Sequence, residues 1–329
     1  MPEVLLRNGN RFNCDTSTTI LDNAIANKIA LEHSCKNGQC GVCEAKVLLG
    51  ETKVLRPEIA LNTEKLEQGF VLTCCRAATS DIEIDAEDLP ELADIRTKTY
   101  PARIDSIEHL TQSIIKVVLR TPPNDKIHFL AGQYISVIGP NGLRRSYSIA
   151  NAPRADGKIE LHIKKVDGGA FSTYWFEQAK LNDLLRFEGP LGTFFVRKPL
   201  PQRLILLATG TGLAPIKALL ENMATLPAAD LPEVHVYWGS RYAEDIYLDA
   251  ALLSGTSSRI NLLLSQPEPE WPGRKGYVQD AVLADFKQFD DCAVYACGSI
   301  KMIESAKAAL VESGLPSNKF HSDAFVSSN

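Results

Sequence analysis

Residues 35–43 read Cys35-Lys36-Asn37-Gly38-Gln39-Cys40-Gly41-Val42-Cys43, and a further pair of cysteines, Cys74 and Cys75, follows about 30 residues on. The spacing C-x4-C-x2-C with a distant fourth thiol is that of a loop wrapped around a [2Fe–2S] cluster, in which four thiolates converge on two irons. Gly38 and Gly41 suit such a loop. Without a Cβ they take up unusual φ/ψ and let backbone N–H groups approach the sulfurs, a form of hydrogen bonding that tunes a cluster. A zinc site with four cysteine ligands is the competing use, but zinc modules supply their ligands as two short C-x2-4-C pairs, and only one such pair is present. Neighbouring side chains in extended chain point opposite ways, so only one of Cys74 and Cys75 faces the cluster, and chemistry alone does not say which.

Outward from this loop, Val4-Leu5-Leu6 and Arg11-Phe12 flank Arg7-Asn8-Gly9-Asn10, and Asn-Gly between apolar runs predicts a β-hairpin. N-cap candidates at 15–18 precede apolar residues at Ile20, Leu21, Ala24 and Ile25, predicting a short helix, and 45–49 predicts a strand after the cysteine loop. The expectation is a small mixed α+β domain over 1–94. Acidity is concentrated there: 16 acidic residues stand against 9 basic up to Asp94, a net of −7, while the remainder holds 24 against 26. Asp81, Glu83, Asp85, Glu87, Asp88, Glu91 and Asp94 form a run without Lys or Arg, expected to face water at a domain edge.

With 329 residues the chain has room for two or three domains, each with its own core, and 45% hydrophobic with 23% charged residues excludes disordered and fibrous classes. A net charge of −5 argues against nucleic acid as a partner. No apolar stretch approaches the roughly 20 residues of a membrane helix, so no membrane partner is expected. Five of the eight cysteines lie in one region and residues 1–10 do not resemble a secretory leader, so the expected location is the cytoplasm, where thiols stay reduced.

Between about 100 and 198, apolar and polar residues alternate in short runs at 113–120, 133–138 and 159–165, predicting an antiparallel barrel over 95–199. Within it, Arg144-Arg145-Ser146-Tyr147-Ser148 sets a guanidinium fork, an aromatic face and hydroxyl donors along one strand. His162-Ile163-Lys164 ends another strand, where plain surface alternation competes with a cofactor contact. Gly168-Gly169-Ala170-Phe171-Ser172 enters a helix whose first N–H groups suit a phosphate. Gly189-Pro190-Leu191-Gly192 reads as a structural turn.

From 200 to 329, strands at 204–208, 234–238, 260–264 and 293–296 alternate with helices such as 216–225 and 302–313, the order of a parallel sheet flanked by helices. Gly210-Thr211-Gly212-Leu213-Ala214-Pro215 follows the first strand directly, where a glycine turn meets a helix N-terminus and can cradle a dinucleotide pyrophosphate. Pro215 takes the third glycine slot of the usual motif and suits a first helical turn. Tyr295-Ala296-Cys297-Gly298-Ser299 places a thiol at the C-terminal edge of the last core strand, where such sheets bind ligands, although an inert buried cysteine is the commoner occurrence.

These segments resemble, in order, a plant-type ferredoxin and the flavin and nicotinamide domains of ferredoxin-NADP reductases. Gly69-Phe70-Val71-Leu72-Thr73-Cys74, with Asp81 seven residues after the cysteine, matches the ferredoxin pattern. That likeness implies Cys35, Cys40, Cys43 and Cys74 as cluster ligands and Cys75 as a bystander. Phe129-Leu130-Ala131-Gly132-Gln133-Tyr134 and the Arg145-x-Tyr147-Ser148 motif match the flavin domain. The resemblance implies FAD held by Arg145, Ser146, Tyr147, Ser148, His162, Ile163, Lys164, Gly169, Phe171 and Ser172, with Ser148 the donor beside the reactive flavin nitrogen. It implies NADH on Gly210, Thr211, Gly212, Pro215, Cys297 and Gly298, with Cys297 at the nicotinamide ring and Phe325 as the terminal aromatic covering the flavin until nicotinamide displaces it.

The expected fold class is therefore multidomain: an α+β ferredoxin-like domain, an antiparallel β-barrel flavin domain, and a C-terminal α/β parallel-sheet nicotinamide domain. Trp238-Gly239-Ser240-Arg241 does not decide between NADH and NADPH, and NADH is the expectation. A hydride carries two electrons and an iron–sulfur cluster takes one, so a group between them must part the pair, and flavin can. Electrons would run from NADH through FAD to [2Fe–2S] and on to an acceptor enzyme. By resemblance that acceptor is an iron–sulfur, pyridoxamine-phosphate (PMP) sugar dehydrase of 3,6-dideoxyhexose biosynthesis, or an aromatic or alkane oxygenase. A redox sensor is the reading from another class, and the completeness of the nicotinamide segment argues against it.

Overall fold

The structure is a computed structural model and describes residues 1–139, 142–253 and 258–325. The chain forms two compact units, Met1–Ile95 and Arg96–Asn329.

In the first unit the predicted hairpin is present: β1 (Glu3–Leu6) pairs antiparallel with β2 (Arg11–Asn13), Val4 opposite Phe12. Helix α1 (Ile20–Ala26) is capped by Thr19, whose hydroxyl accepts the Asp22 N–H at 3.0 Å. That is one residue beyond the predicted cap, because the Asp15 carboxylate is engaged by the Ser17 N–H at 2.7 Å. The cysteine loop follows without regular structure, and β3 (Glu44–Leu49), β4 (Thr52–Val54), α2 (Thr63–Glu67), β5 (Phe70–Leu72), β6 (Arg76–Ala78) and β7 (Ile82–Ile84) complete the unit. The main sheet has the order β2-β1-β7-β3-β5, with β1 and β7 parallel, and β4 pairs with β6 apart from it. Leu6, Ile20, Leu21, Leu72 and Ile84 fill the core beneath the loop. The acidic run does more than face water. Asp85 pairs with Arg7 of the hairpin, and Asp88 accepts the Ala30 N–H at 2.9 Å, tying the end of the unit onto the hairpin and onto the segment after α1.

The second unit opens with β8 (Lys98–His109), β9 (Ile114–Arg120), β10 (Tyr134–Ile138), β11 (Arg144–Ser148), β12 (Ile159–Lys164) and β13 (Leu184–Leu191). Their order is β11-β10-β13-β8-β9-β12, each neighbour antiparallel. The outer strands meet at a bridge between Ile149 and Leu161, so the barrel is near-closed. From that bridge toward Arg144 and Lys164 no ladder pairs β11 with β12 among the described residues, which leaves two backbone edges free to bind something else. Alternation places Ile115, Val117 and Leu119 in the barrel core, where Phe171 and Trp175 from α3 (Ala170–Thr173) and the π-helical turn after it join them. Strand β12 departs from alternation: Ile159, Leu161 and Ile163 face the barrel, yet Glu160 and His162 are buried as well.

The remaining strands are β14 (Arg203–Thr209), β15 (Glu233–Ser240), β16 (Arg259–Leu264), β17 (Arg274–Lys275), β18 (Cys292–Ser299) and β19 (Phe320–Phe325), all parallel, in the order β17-β16-β15-β14-β18-β19. Helices α4 (Leu213–Met223), α5 (Val278–Asp285) and α6 (Ile300–Glu312) connect them. Helix α4 starts three residues before the predicted 216, because Gly210–Gly212 is itself a 3-10 turn that runs straight into it. Strand order reverses at β14, so the loops after β14 and β18 open a crevice at their C-terminal ends. No helix of the described residues is long and apolar enough to cross a membrane.

Candidate functional site

Three cradles lie where chemistry-bearing residues were expected. In the first, the thiols form two pairs. Cys43 and Cys74 bring their Sγ atoms to 3.2 Å, while the Cys40 N–H donates to Cys35 Sγ at 3.3 Å and the Cys35 N–H to Cys40 Sγ at 3.5 Å. Among the described residues no three His, Cys, Asp or Glu side chains converge to hold a single metal ion. Two pairs suit a cluster of two irons, each taking two thiolates, better than one tetrahedral zinc. Within each pair one sulfur is drawn toward thiolate by the other: Cys35 is lowered through the bond from Cys40, and Cys74 through that from Cys43. Cys40 and Cys43 are pushed up by the same bonds and by burial.

Gly38 has φ +81°, and a Cβ there would stand 2.3 Å from the Pro57 carbonyl oxygen and 2.8 Å from Cys75 Sγ. Only glycine closes the loop this tightly. The Cys75 thiol donates to the Pro57 carbonyl at 3.4 Å, and burial pushes it up to about 12, so it stays protonated.

The second cradle is the open edge of the barrel. Tyr147 is half-buried, accepts the Trp175 Nε1–H at 3.0 Å, and meets Phe171 and Trp175 edge-on with ring centres 6.1 and 6.2 Å away. Arg145 Nη1 donates to the Arg144 carbonyl at 2.8 Å, Ser146 is exposed, and Ser148 is buried at the end of β11. Ser172 accepts the Val166 N–H at 2.8 Å, bending the chain so that Gly169 caps α3 and Phe171 turns into the core. Free strand edges, a guanidinium and an aromatic face fit a flavin dinucleotide. Neither competing expectation describes the His162 side chain. It faces Tyr247 at 3.0 Å and Glu160 at 2.9 Å, wholly buried, because elements of the parallel sheet cover that face of β12. Lys164 lies beyond them, 3.3 Å from Asp245.

The third cradle is the crevice above β14 and β18. Trp238 Nε1 donates to the Gly210 carbonyl at 3.1 Å, and the Ser299 N–H reaches the Thr209 hydroxyl at 3.3 Å, fixing the Gly210-Thr211-Gly212 turn. A Cβ on Gly212 would fall 2.2 Å from the Cys297 carbonyl oxygen, so the turn and the thiol strand touch only because this residue has no side chain. Pro215 sits in the first turn of α4. Cys297 is fully buried, and burial holds its thiol well above its ordinary value. Gly298 follows it, and Phe325, 39% exposed, ends β19 beside Ser299. At the end of β15 the Ser240 hydroxyl is buried with no partner among the described residues, an orphan that a dinucleotide ribose or phosphate would satisfy.

Glu160, Lys217 and Tyr247 were not anticipated, and Trp238 was weighed only with the residues bearing on NADH against NADPH. The available signal was an acid and a histidine at alternate positions inside an otherwise apolar strand.

Three family models match the chain: a 2Fe-2S iron-sulfur cluster binding domain over 5–79, an oxidoreductase FAD-binding domain over 101–196 and an oxidoreductase NAD-binding domain over 206–308. The chain is 45% identical to the CDP-6-deoxy-L-threo-D-glycero-4-hexulose-3-dehydrase reductase of Yersinia pestis, across 96% of each protein. It is 39% identical to the protein RfbI of Salmonella typhimurium, across 94% of this chain and 92% of that one. Among solved structures, a cytochrome P450 reductase of Amycolatopsis superposes with TM-score 0.72 at 28% identity, covering 99% of both chains.

Proposed function

The chain belongs to the iron–sulfur flavoprotein reductases that join a [2Fe–2S] domain to FAD- and NAD-binding domains, and we propose that it passes electrons from NADH to a PMP-dependent CDP-4-keto-6-deoxyglucose-3-dehydrase in 3,6-dideoxyhexose biosynthesis, the sugars of lipopolysaccharide O-antigen. It is an oxidoreductase that uses FAD, a [2Fe–2S] cluster and NADH. The full-length match to the Yersinia pestis reductase carries the choice of acceptor. The flavin and nicotinamide domains are taken as 95–199 and 200–329, and the cytoplasm as the compartment that keeps the cluster thiols reduced.

Each residue has a task in this reading. The Gly210-Thr211-Gly212 turn receives the dinucleotide pyrophosphate on the N–H groups that open α4, and the Ser240 hydroxyl takes up a partner there. Cys297, kept protonated by burial, and Gly298 border the nicotinamide. Arg145 holds the flavin pyrophosphate, Tyr147 lends its ring, and Ser148 donates toward the reacting ring. Ser146, Gly169, Phe171, Ser172 and the main chain at His162, Ile163 and Lys164 complete that edge. Phe325 covers the flavin until nicotinamide takes its place. Flavin, when bound, supplies the chemistry that joins a two-electron donor to a one-electron acceptor. Cys35 with Cys40, and Cys43 with Cys74, hold the cluster, and Gly38 keeps the loop closed over it.

Reconstitution tests the acceptor. The protein, NADH, the dehydrase and its CDP-4-keto-6-deoxyglucose substrate should together consume NADH and yield the 3-deoxygenated sugar, and omission of the protein should stop it. Turnover with an aromatic-ring oxygenase component and none with the dehydrase would reassign the partner.

A further inference from the structure

Between the barrel and the parallel sheet lies a set of buried and half-buried polar side chains that the electron path does not use. His162 on β12 places Nε2 2.9 Å from Glu160 Oε1 and Nδ1 3.0 Å from the Tyr247 hydroxyl. Glu160 also meets Lys217 Nζ of α4 at 3.0 Å, and Lys217 donates to the Ala150 carbonyl at 3.0 Å and to Glu221 at 2.6 Å. Glu221 in turn accepts the Ala152 N–H at 3.0 Å. Burial holds the imidazole neutral, so Nε2–H donates to the carboxylate and Nδ1 accepts from the tyrosine. His162 and Tyr247 then each donate to one acceptor, and Arg154 Nη2 closes the set from its outer side, 3.5 Å from Glu160 and 3.3 Å from Glu221.

Stability does not explain such a joint, because an apolar joint of the same volume would hold the domains about as well. What hydrogen bonds add is direction: they fail when either surface slides or turns. Two routes run from β12 to the dinucleotide turn. Tyr247 meets Trp238 edge-on at 5.3 Å, and Trp238 donates to the Gly210 carbonyl at 3.1 Å. Lys217 sits on α4, which begins at Leu213 immediately after that turn.

We propose that His162, acting through Glu160 and Tyr247, is a positioning residue that fixes the flavin edge of the barrel against the dinucleotide turn and so sets the rate of hydride transfer. The inference rests on the functional reading above. It adds no chemical step: NADH is oxidised to NAD+ as its hydride, carrying both electrons, reduces the flavin.

The test uses holoprotein, anaerobic rapid mixing, and NADH with or without deuterium at the transferred position. Tyr247→Phe removes one hydroxyl, His162→Phe removes both bonds of the ring, and His162→Gln keeps a donor and an acceptor. In the two phenylalanine variants the limiting rate of flavin bleaching, per bound flavin, should fall roughly 10- to 100-fold with an enlarged isotope effect, while half-saturation by NADH stays within about threefold. The glutamine variant should recover much of the rate. A merely structural role would lower flavin content or the unfolding temperature and leave the rate per bound flavin unchanged. That result in Tyr247→Phe, the variant least able to disturb folding, overturns the proposal. If wild-type flavin is not bleached by NADH at all, the underlying functional reading fails and this inference falls with it.

Discussion

The Sγ atoms of Cys43 and Cys74 lie 3.2 Å apart although 31 residues separate them in sequence. Antiparallel pairing of β3 with β5, Glu44 opposite Leu72, brings the residues just outside those strands together, so the sheet register itself assembles half of the proposed cluster site. The other half, Cys35 with Cys40, is local to the loop. The Cys75 thiol donates to the Pro57 carbonyl at 3.4 Å behind Gly38, and its Sγ lies 3.6 Å from that of Cys74.

Cys74→Ser should therefore abolish the visible cluster spectrum and the bound iron and sulfide, while Cys75→Ser retains both. Absorbance and metal analysis of the two purified variants decide it, and loss of the cluster in Cys75→Ser alone would exchange their roles.

Gly212→Ala pushes a methyl group into the Cys297 carbonyl, 2.2 Å from its Cβ position, and the neighbour is backbone that cannot swing aside. Overpacking of this kind costs about 1–3 kcal/mol. Thermal unfolding should shift down accordingly, and KM for NADH should rise because the turn is displaced. Unchanged unfolding and KM would show that the crevice is looser than this geometry allows.

Arg145→Ala removes the guanidinium from the free edge of β11. A charged hydrogen bond of this type is worth roughly 1.5–3 kcal/mol, so FAD affinity should fall at least about tenfold. Titration of flavin-free protein with FAD, followed by fluorescence quenching, measures it.

The joint between barrel and sheet predicts a pH dependence. Burial opposes the charge on Glu160, but the His162 bond and the Lys217 charge outweigh it and bring the carboxyl to about 2 from an ordinary 4.5. A depressed carboxylate contributes stability above pH ~4.5 that is lost as pH falls toward ~2, here up to about 3 kcal/mol. Burial also lowers His162, and a histidine held neutral favours the unfolded chain once pH drops below its ordinary value of 6.5. Both act in the same direction: stability of the second unit should decline on acidification from about pH 6.5 downward. Chemical denaturation at stepped pH should show this slope, and Glu160→Gln should flatten its acidic part.

Segments whose chemistry dictates both type and spacing were legible in the sequence as candidates, and the structure sets them in an irregular loop, a turn entering α4 and the edge strand β11: the cysteine loop, the glycine turn after β14, the Arg145-x-Tyr147-Ser148 strand. So was the alternation of strands and helices that makes the parallel sheet. The polar joint was not, because the partner of His162 lies 85 residues away and nothing local says that both faces of β12 are covered. The same limit hid the tethering of the acidic run, since Asp88 and Ala30 are 58 residues apart. Helix starts shifted by one to three residues where a cap or a 3-10 turn, not periodicity, sets the boundary. Contacts distant in sequence decide these features, and a periodic pattern carries no record of them.

Anaerobic titration with NADH tests the electron path most directly, with flavin and cluster followed by their separate visible bands and iron and sulfide assayed in the same sample. Flavin takes two electrons and the cluster one, so the path predicts complete bleaching of both bands at about 1.5 equivalents of NADH per chain. Bleaching that stops at about 1 equivalent with the cluster band untouched, or zinc in place of iron and sulfide, would contradict it.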